Sequence, residues 1–117
     1  MENCTIVKKS SLPNAGFGLY ANQEFEKGDF VAEFLGEFLT MEEAKQRTDR
    51  RYMFQYTKNI ILDSKNIDCL AKYANSSRKT TFQNNVTWIV DYRNKRVYLK
   101  ATRKIQINEE IFAPYRW

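Results

Sequence analysis

A mainly β fold, made of many short strands with one short helix, is predicted by three observations on the sequence. Runs rich in β-branched and aromatic residues are short and are broken by turn-forming residues. Two such runs, 87–92 and 96–101, read as a hairpin. Helix-start chemistry is clear at only one place, Thr40.

The elements follow in chain order. A strand is expected from Cys4 to Val7, then a loop from Ser10 to Gly18 rich in Ser, Pro, Asn and Gly. Strands are expected at Leu19–Ala21 and Phe30–Phe34, separated by the turn Lys27-Gly28-Asp29, with Phe30, Ala32 and Phe34 sharing one face by alternation. The helix is placed from about Met41 to Arg50: Thr40 and Glu43 fit a capping box, and Glu42 and Glu43 suit the positive end of the helix dipole. Tyr52–Tyr56 and Ile60–Leu62 read as strands, Asp68–Tyr73 as a helical turn. Thr87–Tyr92 and Arg96–Ala101 form the hairpin around Arg93-Asn94-Lys95.

The chain has 117 residues, 43% of them apolar and 15% aromatic, which suits one domain over 1–117 with a substantial core. No apolar run approaches the ~20 residues of a membrane span and no signal-peptide core is visible, so a soluble, intracellular protein with no membrane partner is expected. There is no histidine, which excludes Ser-His-Asp and Cys-His nucleophile pairs and any histidine-bound metal. Cys4 and Cys69 form no CxxC, so no metal site is expected and both are read as reduced, buried thiols. The net charge is +5, but residues 1–39 carry three lysines against six acids while 40–117 carry sixteen Lys and Arg against eight. A solvated surface with a basic bias accounts for this, because no block of five or six like charges occurs.

Four segments carry candidate chemistry, and each alone has an ordinary structural explanation. Gly16-Phe17-Gly18 precedes a strand, where two glycines usually mark a tight turn. Glu33-Phe34-Leu35-Gly36-Glu37 ends a strand in a glycine, which suggests a bulge or close packing. Ala71-Lys72-Tyr73-Ala74-Asn75-Ser76-Ser77 reads as a helix end followed by a loop, and the stretch from Asn108 to Tyr115 as a core edge.

Together and in this order, they resemble the SET-domain family of protein lysine methyltransferases, over nearly the whole chain. Gly16-Phe17-Gly18 is similar to the family's Gly-x-Gly, and Phe34-Leu35-Gly36-Glu37 to its Tyr-x-Gly-Glu. Tyr52-Met53-Phe54 and Asp63 resemble its YxF strand and following aspartate. The run from Ala71 to Ser77 resembles Ala-Arg-Phe-Ile-Asn-His-Ser, Asn84-Asn85 takes the place of Pro-Asn, and Tyr98 to Tyr115 tracks the closing stretch. Three departures stand out: Phe34 replaces the tyrosine, Ser76 the histidine, and Pro114 the aspartate before Tyr115. Lacking cysteine-rich flanking motifs, the chain resembles the minimal stand-alone SET proteins of some large DNA viruses.

The resemblance implies a β-clip-like SET fold with a threaded, pseudoknot-like C-terminal segment. It also implies S-adenosylmethionine as cofactor and a lysine-bearing protein or peptide as partner, for instance a histone tail, with a nuclear location in that case (a host nucleus for a viral protein). Tyr115 and Tyr52 are implied as catalytic residues. Gly16, Phe17, Gly18, Asn75, Ser76 and Trp117 are implied to bind the cofactor, and Phe34, Tyr52, Ala113 and Tyr115 to line the lysine channel. Such a transfer needs no metal and no histidine, but it needs a neutral amine. At pH 7, deprotonating a lysine costs about 4–5 kcal/mol, which desolvation and a neighbouring cation reduce. The small Ala113 leaves room for di- or trimethylation.

Two other readings fit the residues. One is a SET-like binding module without activity, motivated by Phe34, Ser76 and Pro114. The other is a small basic β-domain for nucleic acid, disfavoured because no RNP-type motif or basic stripe exists; no direct nucleic-acid binding is expected. The acidic first third suggests electrostatic attraction of a basic peptide. Homodimerisation is an alternative way for so small a chain to complete a site.

Overall fold

The computed structural model describes residues 3–77 and 83–116. Among them are nine strands, one short helix and one 3₁₀ turn, arranged as three small antiparallel sheets. The first sheet joins β1 (Thr5–Lys9), β2 (Phe17–Ala21) and β9 (Glu110–Ile111) in the order β1-β2-β9. The second joins β3 (Phe30–Phe34), β7 (Val86–Asp91) and β8 (Arg96–Ala101) in the order β3-β8-β7. In the third, β4 (Glu37–Thr40), β5 (Met53–Gln55) and β6 (Ile60–Asp63) run in the order β4-β6-β5.

The core lies where these sheets face one another. Leu19, Phe25, Val31, Phe34, Val97, Leu99, Ile105 and Ile111 are essentially sealed from solvent within it. On β8 the alternation is strict, with Val97, Leu99 and Ala101 inward and Arg96 outward, because one face of this sheet meets the core and the other meets water. The predicted hairpin is present, with Lys95 in the left-handed region (φ 55°) closing its turn.

Three expectations are corrected. Phe30 does not share the core face with Ala32 and Phe34, because an irregularity between Phe30 and Ala32 shifts the register against β8. The bulge turns Phe30 outward, where it packs on Tyr98 at 4.9 Å, and seats Val31 in the core. The helix, α1 (Met41–Lys45), is half the expected length. Its capping box forms as predicted, with Glu43 N donating to Thr40 Oγ1 and Thr40 N to the Glu43 carboxylate. It stops because Arg47 turns away to pair with Glu37 and the fully buried Asp63, while Arg50 donates to the carbonyls of Lys45 and Arg47. Finally, Cys4 is only half-buried; Cys69 is buried, and both are free. The strands β4 and β9 were not anticipated.

The end of the described chain threads between two loops. Phe112 N donates to Asn85 Oδ1, and Phe112 O accepts from the backbone of Asn85 and Val86. On its other side, Phe112 bridges Asn75 in parallel fashion and Ala113 N donates to Asn75 O. Beyond it, Pro114 O accepts from the Trp88 indole, and Arg116 O from Gln55 N. The segment is thus held on several sides, the threaded arrangement the motifs imply.

Candidate active site

Threading brings together three pieces of chain that are far apart in sequence. The Asn75 side chain donates to Phe17 O at 3.0 Å, tying the glycine loop to the 74–76 segment that holds the C-terminal stretch. Asn75 and Ser76 line a cleft of about 170 Å³ together with Tyr115, Pro114, Arg116, Ala74, Arg50, Arg51 and Met53. Tyr115 is well exposed there.

The other expected residues surround this cleft at different depths. Tyr52 lies between two of its lining residues, Arg51 and Met53, and packs edge-on against Tyr73 at 5.8 Å. Tyr73 in turn receives the exposed ring of Phe17 at 6.2 Å, so an aromatic chain runs from the glycine loop to Tyr52. Phe34 and Ala113 are each only 1% exposed and do not line the cleft. Phe34 sits behind it against Phe54 (5.9 Å), Trp88 (5.7 Å) and the Arg116 guanidinium (5.8 Å). Trp117 lies outside the described residues.

The glycines separate by cause. Gly16 has φ +71° and open space where a Cβ would point, so backbone conformation demands glycine while the space beside it stays free for a ligand. Gly18 is different, since a Cβ there would overlap the Glu110 carboxylate. Glu110 is buried and accepts from Ser10, from the backbone and side chain of Ser11, and from Tyr20. Burial pushes its pKa up, but these donors outweigh burial and hold it below the ordinary glutamate value. Gly36 is packed tightly, with a Cβ position 2.7 Å from Asp63 O, as expected for the end of that motif.

Arg116, Tyr73 and the arginines of the cleft were not anticipated. Arg116 donates to the carbonyls of Lys72, Ala74 and Arg51 at 2.8–3.1 Å. Burial lowers its pKa from the ordinary arginine value. Only position could have flagged it, since it directly follows Tyr115. The acidic first third is not a free acidic surface: Glu24 and Glu26 pair with Lys104, Glu33 with Arg96, and Glu37 with Arg47. Four of its six acids thus pair with cations on other segments, and the cleft is lined by Arg50, Arg51 and Arg116.

A cofactor of the S-adenosylmethionine type fits the residues present. The cleft alone is below the ~300 Å³ of a typical small-molecule site, but the open side of Gly16 lies next to Phe17, which Asn75 joins to the cleft. Backbone groups near Gly16, the amides of Asn75 and Ser76, and the aromatic chain offer the polar and flat surfaces a nucleoside needs.

Residues 16–116 match the SET domain family, and the chain belongs to that family. Among the relatives, the histone-lysine N-methyltransferase EZH2 of Chaetomium thermophilum is 26% identical over 94% of this chain and 8% of its own length. The histone-lysine N-methyltransferase trr of Drosophila melanogaster is 32% identical over 87% of this chain and 4% of its own. The crystal structure of the Chaetomium thermophilum polycomb repressive complex 2 superposes with a TM-score of 0.84 at 26% identity, over 95% of this chain and 15% of that one. An autoinhibited conformation of ctPRC2 bound to S-adenosylmethionine gives 0.82 at 25% identity, over 97% of this chain and 15% of that one. The chain spans between 4% and 14% of the length of the curated relatives it matches.

Proposed function

We propose that the chain is a protein lysine N-methyltransferase, with Tyr115 as the residue that orients the substrate amine. The observation that supports this most directly is the junction at Asn75. Its side chain bonds the glycine loop and its carbonyl bonds the segment leading to Tyr115, so cofactor-side and amine-side residues share one anchor. S-adenosylmethionine, when bound, supplies an electrophilic methyl group on a sulfonium.

The chain's own residues do the rest. Gly16, Phe17, Gly18, Asn75 and Ser76 bind the cofactor, largely through backbone groups, which tolerates serine where the family has histidine. The Tyr115 hydroxyl oxygen accepts an N–H hydrogen bond from the neutral substrate amine, leaving its lone pair free and aligned for in-line attack. Tyr52, beside the cleft, offers the amine aromatic surface, and Phe34 and Phe54 pack behind it as apolar support. Desolvation there disfavours ammonium, so the amine reacts in its neutral form. Phe34 supplies no hydroxyl, and Ala113, buried beside Asn75, adds no side-chain bulk to the cleft.

The finer reading is a viral-type SET domain acting in the nucleus on a histone tail. The viral-type part rests on the motif resemblance alone, and the histone part also on the names of the relatives. Calorimetric titration with S-adenosylhomocysteine, paired with tritiated methyl transfer to core histones, tests both levels. Micromolar binding that survives Tyr115→Phe, with transfer reduced at least tenfold in that variant, is the expected result. Binding by neither protein would overturn the reading.

A further inference from the structure

Tyr115 is 61% exposed at the cleft, so where its hydroxyl is presented depends on how firmly the backbone on either side is held. Both flanking carbonyls are pinned. On the C-terminal side, Arg116 O accepts from Gln55 N of β5 at 3.1 Å. On the N-terminal side, Pro114 O accepts from the Trp88 indole at 2.9 Å, across 26 positions of sequence. The proline ring fixes φ and leaves no N–H, so fixing the carbonyl sets ψ as well and immobilises the peptide that leads into Tyr115. Pro114 stands where the family motif has aspartate, so its carbonyl is the one polar group left there to anchor.

The donor is itself held. Trp88 is half-buried on β7, with its ring edge-on to Phe34 at 5.7 Å and 5.0 Å from Phe54, both of them buried. Phe54 directly precedes Gln55, so β5 supports both pins, one through the indole and one by its own backbone. Another aromatic ring could make these ring contacts; what the indole adds is an N–H, which only donates.

We propose that Trp88 is a positioning residue for methyl transfer: by fixing the Pro114 carbonyl, its indole N–H sets the place from which Tyr115 presents its hydroxyl. This rests on the methyltransferase reading above. Displacing an aligning group by about 1 Å can cost on the order of 10²-fold in rate, whereas a cofactor held by other segments keeps its affinity.

The test compares the wild type with Trp88→Phe, Tyr115→Phe and the double variant. It reads kcat and KM for methyl transfer to core histones, with S-adenosylhomocysteine titration in parallel. Trp88→Phe keeps a ring against Phe34 and Phe54 and removes the N–H. Its kcat is expected to fall about tenfold, while cofactor KM and S-adenosylhomocysteine affinity change less than about twofold. In the Tyr115→Phe background the same substitution is expected to lower kcat less than about twofold, because the hydroxyl whose placement mattered is gone. Benzothienylalanine at position 88 keeps the shape of indole and replaces its N–H by sulfur. It is expected to reproduce Trp88→Phe, and it decides the question if that variant does not fold. Cofactor affinity falling in step with kcat would make Trp88 a general support of the fold and would overturn the proposal, as would an unchanged kcat. If the wild type transfers but the two substitutions act additively, this inference fails and the methyltransferase reading stands. If the wild type does not transfer, that reading fails and the inference falls with it.

Discussion

Gly16 and Gly18 look interchangeable in the motif but are glycine for opposite reasons, and substitution separates them. Gly16→Ala places a Cβ in free space at a strained φ, costing about 1 kcal/mol. The new methyl group intrudes where the cofactor is proposed to sit. S-adenosylhomocysteine affinity is expected to fall tenfold or more, with only a small drop in melting temperature. Gly18→Ala drives a Cβ into the Glu110 carboxylate, and the larger effect there is on stability, about 2 kcal/mol. Undiminished binding by Gly16→Ala would remove Gly16 from the cofactor site. The family resemblance makes Asn75 and Tyr115 legible as candidate site residues, because they sit at recognisable motif positions. Tyr73 and Arg116 are not legible in this way: what matters for each is where its side chain points once the C-terminal stretch is threaded.

At the scale of elements, β9 is only two residues long and is held by its pairing with β2, by Asn85 and by the Glu110 side chain. The folded pKa of Glu110 is below the unfolded value, so its stabilising effect is fully present above the unfolded glutamate value near 4.3. It is lost as pH falls through the lower folded value. Thermal melting from pH 7 to pH 3 is expected to show stability declining below about pH 4.3. In Glu110→Gln part of that acid decline disappears, and about 1–3 kcal/mol is lost at pH 7. An unchanged acid profile in the variant would mean that other carboxylates carry the effect. Such an element is hard to read from sequence, since its partner Tyr20 lies 90 residues away and two residues hold no periodicity. The hairpin β7–β8 was readable for the converse reason, because its strands are adjacent and alternate. The α1 start was readable from Thr40 and Glu43, but its end was not. It depends on Arg47 finding Glu37 and Asp63, contacts made only in the folded chain.

Across the whole molecule, the contacts that build the site are almost all remote in sequence. Ser10 bonds Glu110 across 100 positions, and Asn75 bonds Phe17 across 58. Asn85, only 1% exposed, uses its side chain to bond Glu109, Glu110 and Phe112 at once. The overall β character follows from local pattern, but the threading has no local signal and came only through the family resemblance. The threaded stretch also has a kinetic meaning. Closing loops of this length must precede any gain from the contacts they permit, so folding is expected to be slow for the chain's size. The cleft has no partial form, because its walls come from segments that meet only when the last strand is in place. In stopped-flow refolding, the ability to take up S-adenosylhomocysteine is expected to appear with the same rate constant as global core burial. Uptake preceding burial would show that the glycine loop and Asn75 assemble before the threading. A nascent chain would accordingly gain its ligand pocket in one late step, after nearly all of these residues have been synthesised.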